Sequence, residues 1–269
     1  MRSQRTPRRP GWLSATALAG GVSCLAYVRR TLTLDGALAA TVVGSLVFRA
    51  GGLPGASVLL TFFVSSSALS LLRQADTSRG ALVQVKGARR DAGQVLANGG
   101  VAAAALALGR PGAFLGALAT ANADTWATEV GMRGSSRPHL ITTLRSVAPG
   151  TSGAVSWLGL LASAGGAGLV GLAWTLATRD TTAGKRAALA GVIGSLVDSL
   201  LGATAQGLYW CRACQALTEA AIHPRCGSRC QLQRGISWVD NDVVNGLATL
   251  SGAVLGTLLW QEAGARRST

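Results

Sequence analysis

The sequence predicts an all-α fold: a polytopic integral membrane helical bundle of about seven or eight segments, some re-entrant, with a small Cys-rich loop between the last two. Three observations predict it. Only 13% of the 269 residues are charged, where a soluble domain carries about 25%. Mean hydropathy is +0.36, and 49% of the residues are hydrophobic. The charge is gathered into short basic bridges between long apolar runs, the pattern of a chain that crosses a bilayer repeatedly.

The apolar runs cover residues 13–28, 36–48, 54–72, 95–108, 113–131, 153–177, 187–208 and 243–260. A span needs about 20 apolar residues, so the first, second and fourth are short and are expected to tilt, re-enter or lean on polar flanks. Small residues dominate, as in 156–171 with Gly165, Gly166 and Gly168. Such residues let helices approach closely in lipid. They do not form a mononucleotide loop, because no strand precedes them and no Walker lysine follows. No solenoid repeat or low-complexity linker divides the chain, so 1–269 reads as a single membrane domain. The basic opening before the first run resembles a signal peptide, but no convincing small-x-small cleavage site precedes Arg29-Arg30.

Formal net charge is +14. No basic stretch is long enough, or flanked by enough aromatics, to form a nucleic-acid groove. Eighteen of the 25 lysines and arginines sit in five bridges: the N-terminal arm, Arg29-Arg30, residues 73–90, 133–145 and 212–234. If the last three loops share a face, the positive-inside rule makes it cytoplasmic. The N-terminus joins them only if the first run does not span. Anionic lipid and an anionic substrate are the partners such a face suits.

Polar residues inside the runs need a reason, since Asp at a helix centre costs about 2.5–3.5 kcal/mol on insertion scales. Asp124 and Glu129 stand in ATANADTWATEVG, and Asp198 stands in IGSLVDSLLGATAQ. Asp91, Gln94 and Asn98 share one helical face by their i, i+3, i+7 spacing, as do Ser195, Asp198 and Gly202, and Asp242, Asn245 and Thr249. Asp124 and Glu129 differ by about 140° around a helix, which favours Asp124 and Thr128 inward with Glu129 behind them. A structural acid paired with an arginine is the plainer alternative for each one alone. Together, carboxylates and amides ringed by Arg89, Arg90 and Arg145 suit a magnesium–polyphosphate ligand. The loop 142–153 offers Arg145, Ser146, Gly150, Thr151 and Ser152 ahead of a helix N-terminus, where unpaired N–H groups bind anions. An ordinary turn capped by Thr151 or Ser152 is the rival.

Cys211, Cys214, Cys226 and Cys230 give C-x2-C-x11-C-x3-C with His223 among them. This spacing suits a small zinc knuckle of four thiolates, or three plus His223. Two disulfides are the rival, disfavoured where loops 209–238 read as cytoplasmic. The zinc would be structural. Cys24 reads as a packing residue.

The segments LLTFFVSSSALS, GARRDAGQVLANGGVAA, ATANADTWATEVG, RPHLITTLRSVAPGTSGAVSWLG, IGSLVDSLLGATAQ and WVDNDVVN resemble the DUF92 family, which includes TMEM19-like proteins and plant phytyl-phosphate kinases. The resemblance covers about residues 34–259. It implies a membrane kinase that uses CTP or another nucleotide to convert an isoprenyl monophosphate to its diphosphate. The family's commoner metal pattern corresponds to Cys211, Cys214, His223 and Cys226-Gly227, which leaves Cys230 as an alternative fourth ligand. A more distant resemblance, to CTP-dependent dolichol and phytol kinases, lies in Ala123-Asp124, Ala127, Gly131, Arg145-Ser146, Gly150-Thr151 and Asp240-Asn241. It implies nucleotide binding at Arg145 to Thr151, and Arg145 replaces their lysine.

The first expectation is therefore a transferase of isoprenoid metabolism. Asp124, Asp198, Asn98, Asp242 and Asn245 form its polar centre, and Asp124 binds the nucleotide's magnesium. Arg89, Arg90, Thr128 and the 145–152 loop hold phosphate. A transporter with midplane acids is the second expectation, though no pair of inverted halves is evident. A cytidylyltransferase acting on a lipid phosphate is the third.

Overall fold

The computed structural model describes residues 10–75, 89–134 and 137–265. Seven helices carry these residues: α1 (Trp12–Val28), α2 (Leu34–Ala75), α3 (Ala92–Ala107), α4 (Pro111–Gly131), α5 (Trp157–Thr178), α6 (Thr181–Thr204) and α7 (Asn241–Ala265). A small antiparallel pair, β1 (His139–Leu140) with β2 (Ala154–Val155), separates α4 from α5. A three-stranded antiparallel sheet of β3 (Leu208–Cys211), β4 (Ala216–Thr218) and β5 (Gln231–Arg234), in the order β4–β3–β5, separates α6 from α7. Helices α2, α5, α6 and α7 are long and apolar enough to cross a membrane, and α1 and α3 are shorter apolar helices. The arginines of the N-terminal arm, with Arg79 and Lys86, lie outside the described residues.

Two apolar runs of the sequence, 36–48 and 54–72, belong to the one element α2. It breaks at Gly52, whose φ of 57° and ψ of −150° are open to glycine and hardly to any other residue, and Pro54 follows. A straight helix would hold Thr33 and Ser67 about 50 Å apart. Yet Arg90 exchanges backbone hydrogen bonds with Thr31 and Thr33, and its guanidinium reaches Ser67 Oγ at 3.5 Å. The chain therefore doubles back at Gly52, and both arms of α2 end on the same side of the bundle.

Helix α4 is the core. Every residue from Gly112 to Ala123 is buried, and α2, α3, α5, α6 and α7 pack around it. Small side chains make that possible. A Cβ on Gly116 would sit inside the Gly252 carbonyl, one on Gly191 would meet Ala119 at 2.7 Å, and one on Gly166 would meet Trp126 at 2.8 Å. This is close helix association through small residues. Large apolar side chains turn outward instead, as with Leu247, Leu250, Val254 and Leu258 along one stripe of α7.

The connectors 108–110 and 179–180 are short, so α3–α4 and α5–α6 are antiparallel pairs joined at one end. The long connections 132–156 and 205–240 gather at the other end. Trp12 stacks with the Arg49 guanidinium, 5.7 Å from ring centroid, which puts the start of α1 at the short-connector end. Two apolar runs overshoot their helices. Residues 153–156 and 205–208 belong to the strands and turns of the long connections, because Ser156 caps α5 and α6 ends at Thr204. Trp157 and Trp238 are 73% and 70% exposed at that end, where tryptophan sits at a lipid headgroup level.

Candidate active site

Thr120 of α4 touches Gly194 of α6, with no side chain on the glycine to separate the helices. Both helices run toward the long connections, so one turn further along each the same register sets Asp124 opposite Asp198. Their carboxyl groups come within hydrogen-bonding reach of each other. Among the described residues, no hydrogen-bond partner reaches the buried Oδ2 of Asp198. A buried carboxylate oxygen left this way calls for a partner from outside the protein or a proton.

These two acids floor a cavity of about 210 Å³. Gln94 and Asn98 of α3 form one wall, Asn241 and Asn245 of α7 another, and Thr128 and Glu129 of α4 continue the floor. Glu129 is held by the Ser70 hydroxyl at 2.7 Å. Arg90 enters from the start of α3 and lies over the Phe62 ring, 5.7 Å from its centroid. Burial, offset by Glu129, pushes its pKa down to about 10, so it stays positive near neutral pH. The roof is residues 149–156 and the first turn of α5. Ser156 accepts from Gly159 N at 3.1 Å as the N-cap, and Thr151 turns its hydroxyl onto the Ala148 carbonyl. Neither Thr151 nor Ser152 caps the helix. Gly153, at φ +78°, presses on the Ala203 backbone, and Arg234 of β5 donates to the carbonyls of Ser152 and Gly202, both at 3.2 Å. The roof is thereby bolted to α6 and to the Cys-rich sheet.

Glu219, just after β4, also reaches the cavity. It accepts from the Ser152 hydroxyl and faces Asp198. Burial pushes its pKa up to about 7, against the hydrogen bonds of Ser152 and Gln206. Periodicity does not find this residue, because it lies in a loop. Its signal is that it is the single acid among residues 209–238.

The structure brings Asp124, Asp198, Asn98, Asn245, Arg90, Thr128, Gly150, Thr151 and Ser152 to one cavity. Others stand outside its lining. Arg89 is exposed and donates to the Leu32 carbonyl at 3.2 Å. Arg145 and Ser146 are exposed on the 141–149 turn. The Asp242 carboxylate lies against Gly93 at the start of α3. Asp91 forms a capping box with Gln94, so its place at the face shared with Asn98 is that of a helix cap.

In the Cys-rich sheet, one ligand atom each from Cys211, Cys214, His223 and Cys226 lies within 4.8 Å of the others. Cys211 Sγ is 3.5 Å from Cys226 Sγ, and His223 Nδ1 is 3.4 Å from Cys214 Sγ. The cysteines are free thiols. The donor set of three sulfurs and one imidazole fits a tetrahedral zinc knuckle. Cys230 is outside this group, with its thiol toward the Ser228 carbonyl.

A helical membrane bundle with a polar cavity at one end and a Cys/His knuckle beside it is the class this geometry defines. The chain belongs to the family described as integral membrane protein DUF92, which matches residues 17–253. It is 31% identical to Protein PGR of Arabidopsis thaliana, over 91% of this chain and 94% of that one. It is 30% identical to an uncharacterized membrane protein of Methanocaldococcus jannaschii, over 86% and 87%. It is 24% identical to Protein VTE6, chloroplastic, of Arabidopsis thaliana, over 86% and 66%. No solved structure matches the chain.

Proposed function

We propose that the cavity is the active site of a nucleotide-dependent kinase that converts an isoprenyl monophosphate in the membrane to its diphosphate, with CTP as donor. The observation that carries this reading is the Asp124–Asp198 pair beneath the 149–156 roof, with Arg90 across the cavity. Mg²⁺ is typically held by one or two carboxylates plus substrate phosphates, and the open Asp198 oxygen fits that use. When bound, the cation supplies charge neutralisation on the transferring phosphates.

The protein's own contribution is position. Arg90 and the first turn of α5 hold the phosphates, and Asn98 and Asn245 fix the groups between them. Phosphoryl transfer relies on such alignment and charge stabilisation. The acceptor is already an anionic oxygen, so no side chain has to deprotonate it. The Cys/His cluster, carrying zinc, braces the sheet that holds Glu219 and Arg234 against the roof. The long connections face the cytoplasm in this reading, since the basic bridges that follow α1, α2, α4 and α6 start from that end.

Depth favours an enzyme over a transporter. Asp124 lies seven residues from the end of α4 and Asp198 six from the end of α6, about 10 Å in from the long-connection end. A transporter's acids sit nearer the midplane between repeats. The test is incubation of purified protein with labelled CTP, magnesium and several prenyl monophosphates, followed by identification of the lipid product. A prenyl diphosphate carrying the γ-phosphate is expected. A lipid carrying CMP would make the protein a cytidylyltransferase, and no labelled lipid with any prenyl phosphate would end the enzyme reading.

A further inference from the structure

A second cavity, about 270 Å³, opens between α1, the two arms of α2 and α3. Its walls are apolar, including Val22, Val43, Phe48, Ala56, Leu60 and Phe63. At one end it meets Arg90, Gln94 and Asn98, and these same residues line the polar cavity. The two spaces therefore abut at these three side chains, with a guanidinium at the boundary. On the apolar side of that boundary the Arg90 guanidinium lies over Phe62, and its Nη1 reaches Ser67 Oγ at 3.5 Å.

We infer that this cleft takes the isoprenoid tail of the acceptor lipid, with its phosphate passing Arg90 into the polar cavity. The match is one of chemistry along the length of the space. An apolar wall leads to the half-buried Arg90 guanidinium and then to amides and acids, which suits a long hydrocarbon ending in a phosphomonoester. From Phe63 to Leu53 the α2 wall is about 15 Å long, roughly half the hydrocarbon thickness, and it starts at the level of Arg90, which lies over Phe62.

The outer wall explains how such a lipid enters. Helix α1 packs chiefly on α2, with Gly44 close to Ala19. Along it Leu18, Val22 and Leu25 are each more than 40% exposed. A helix leaning chiefly on one partner opens more cheaply than α4, which is enclosed by five. The tail can slide in sideways from the bilayer while the headgroup stays at the interface. A phospholipid with two acyl chains and a diester headgroup lacks the terminal monoester that Arg90 and the cavity would hold.

This inference rests on the kinase reading for the headgroup but not for the tail, and one experiment separates them. The full chain in phosphatidylcholine nanodiscs is photolysed, without nucleotide, with a prenyl monophosphate carrying a diazirine at the tail end. Adducts are expected on cleft residues such as Leu60, competed by unlabelled farnesyl monophosphate and not by phosphatidylglycerol. Ala56→Phe, and on the other wall Val22→Trp, should lower the cleft adduct at least tenfold, while Leu172→Phe on the outer face of α5 leaves it unchanged. Adducts concentrated on the outer faces of α5 and α7, or equal competition by phosphatidylglycerol, would overturn the tail site. Cleft adducts in a protein that phosphorylates no prenyl phosphate would keep the tail site and remove the kinase. Phosphorylation with adducts elsewhere would do the reverse.

Discussion

The α4–α7 half of the bundle and the α1–α2 half are both apolar and helical, yet they pack in opposite ways. Around α4, glycines face glycines, backbones touch, and no space is left between Gly112 and Ala123. Between α1 and α2, valines, leucines and phenylalanines meet across an open cleft. Close backbone approach is what brings Asp124 and Asp198 together, because larger residues at Gly191 and Gly194 would push α6 outward. The looser half has no such demand, and its cleft is the consequence. Small residues here bring two acids together, and large ones border an open apolar space.

Breaking the close-packed half should have the largest effect. Gly116→Val puts a branched side chain into the Gly252 carbonyl and the Gly256 backbone; overpacking of this kind costs about 1–3 kcal/mol or more. The expected outcome is little folded protein by size-exclusion chromatography in detergent. A normally folded variant would show that the contact yields.

Metal removal comes next. Stoichiometric zinc is expected by metal analysis, lost in His223→Ala and kept in Cys230→Ala. Zinc loss should lower activity at least tenfold through the roof that Glu219 and Arg234 brace. The opposite pattern would make Cys230 the ligand.

Glu219 predicts a smaller, pH-dependent effect. Its pKa rises on folding from the ordinary carboxylate value to about 7. The folded chain therefore holds this proton more tightly, and stability falls as pH rises through that window. Glu219→Gln removes the buried charge. It should raise Tm by a few degrees at pH 8, measured without nucleotide or magnesium, and change it little at pH 5. Equal Tm at both values would place Glu219 in water.

The smallest effect is expected at Gly168, where an added Cβ meets nothing within 4 Å. Gly168→Ala should be neutral or stabilising by up to about 1 kcal/mol. A loss as large as at Gly116 would erase the distinction between packing glycines and incidental ones.

Helical periodicity made much of this legible. Asn98, Asp124, Asp198 and Asn245 stand out as polar residues in apolar runs, and all four line the cavity. The cysteine spacing pointed to the knuckle. Periodicity is blind to what loops do, so Glu219 escaped it, and Arg145 looked closer to the site than its exposed turn allows. Asp91 shares the spacing of Asn98, but a residue just before a helix is used first by unpaired backbone N–H groups. The fold-back of α2 is written in Gly51-Gly52-Leu53-Pro54, which marks a break without giving its angle. Only the contact of Arg90 with both arms supplies that.

Asp124→Asn decides whether the two facing carboxylates serve the proposed chemistry or only packing. Asparagine keeps the size and hydrogen bonding and removes the charge a divalent cation needs. Purified variant and wild type are compared for transfer of labelled phosphate from CTP to a prenyl monophosphate, with Tm and helical content measured alongside. A loss of at least about a hundredfold in turnover is expected, with Tm and helicity near wild type, because an amide is easier to bury than an acid. Near-wild-type turnover in well-folded Asp124→Asn protein would contradict the chemical role.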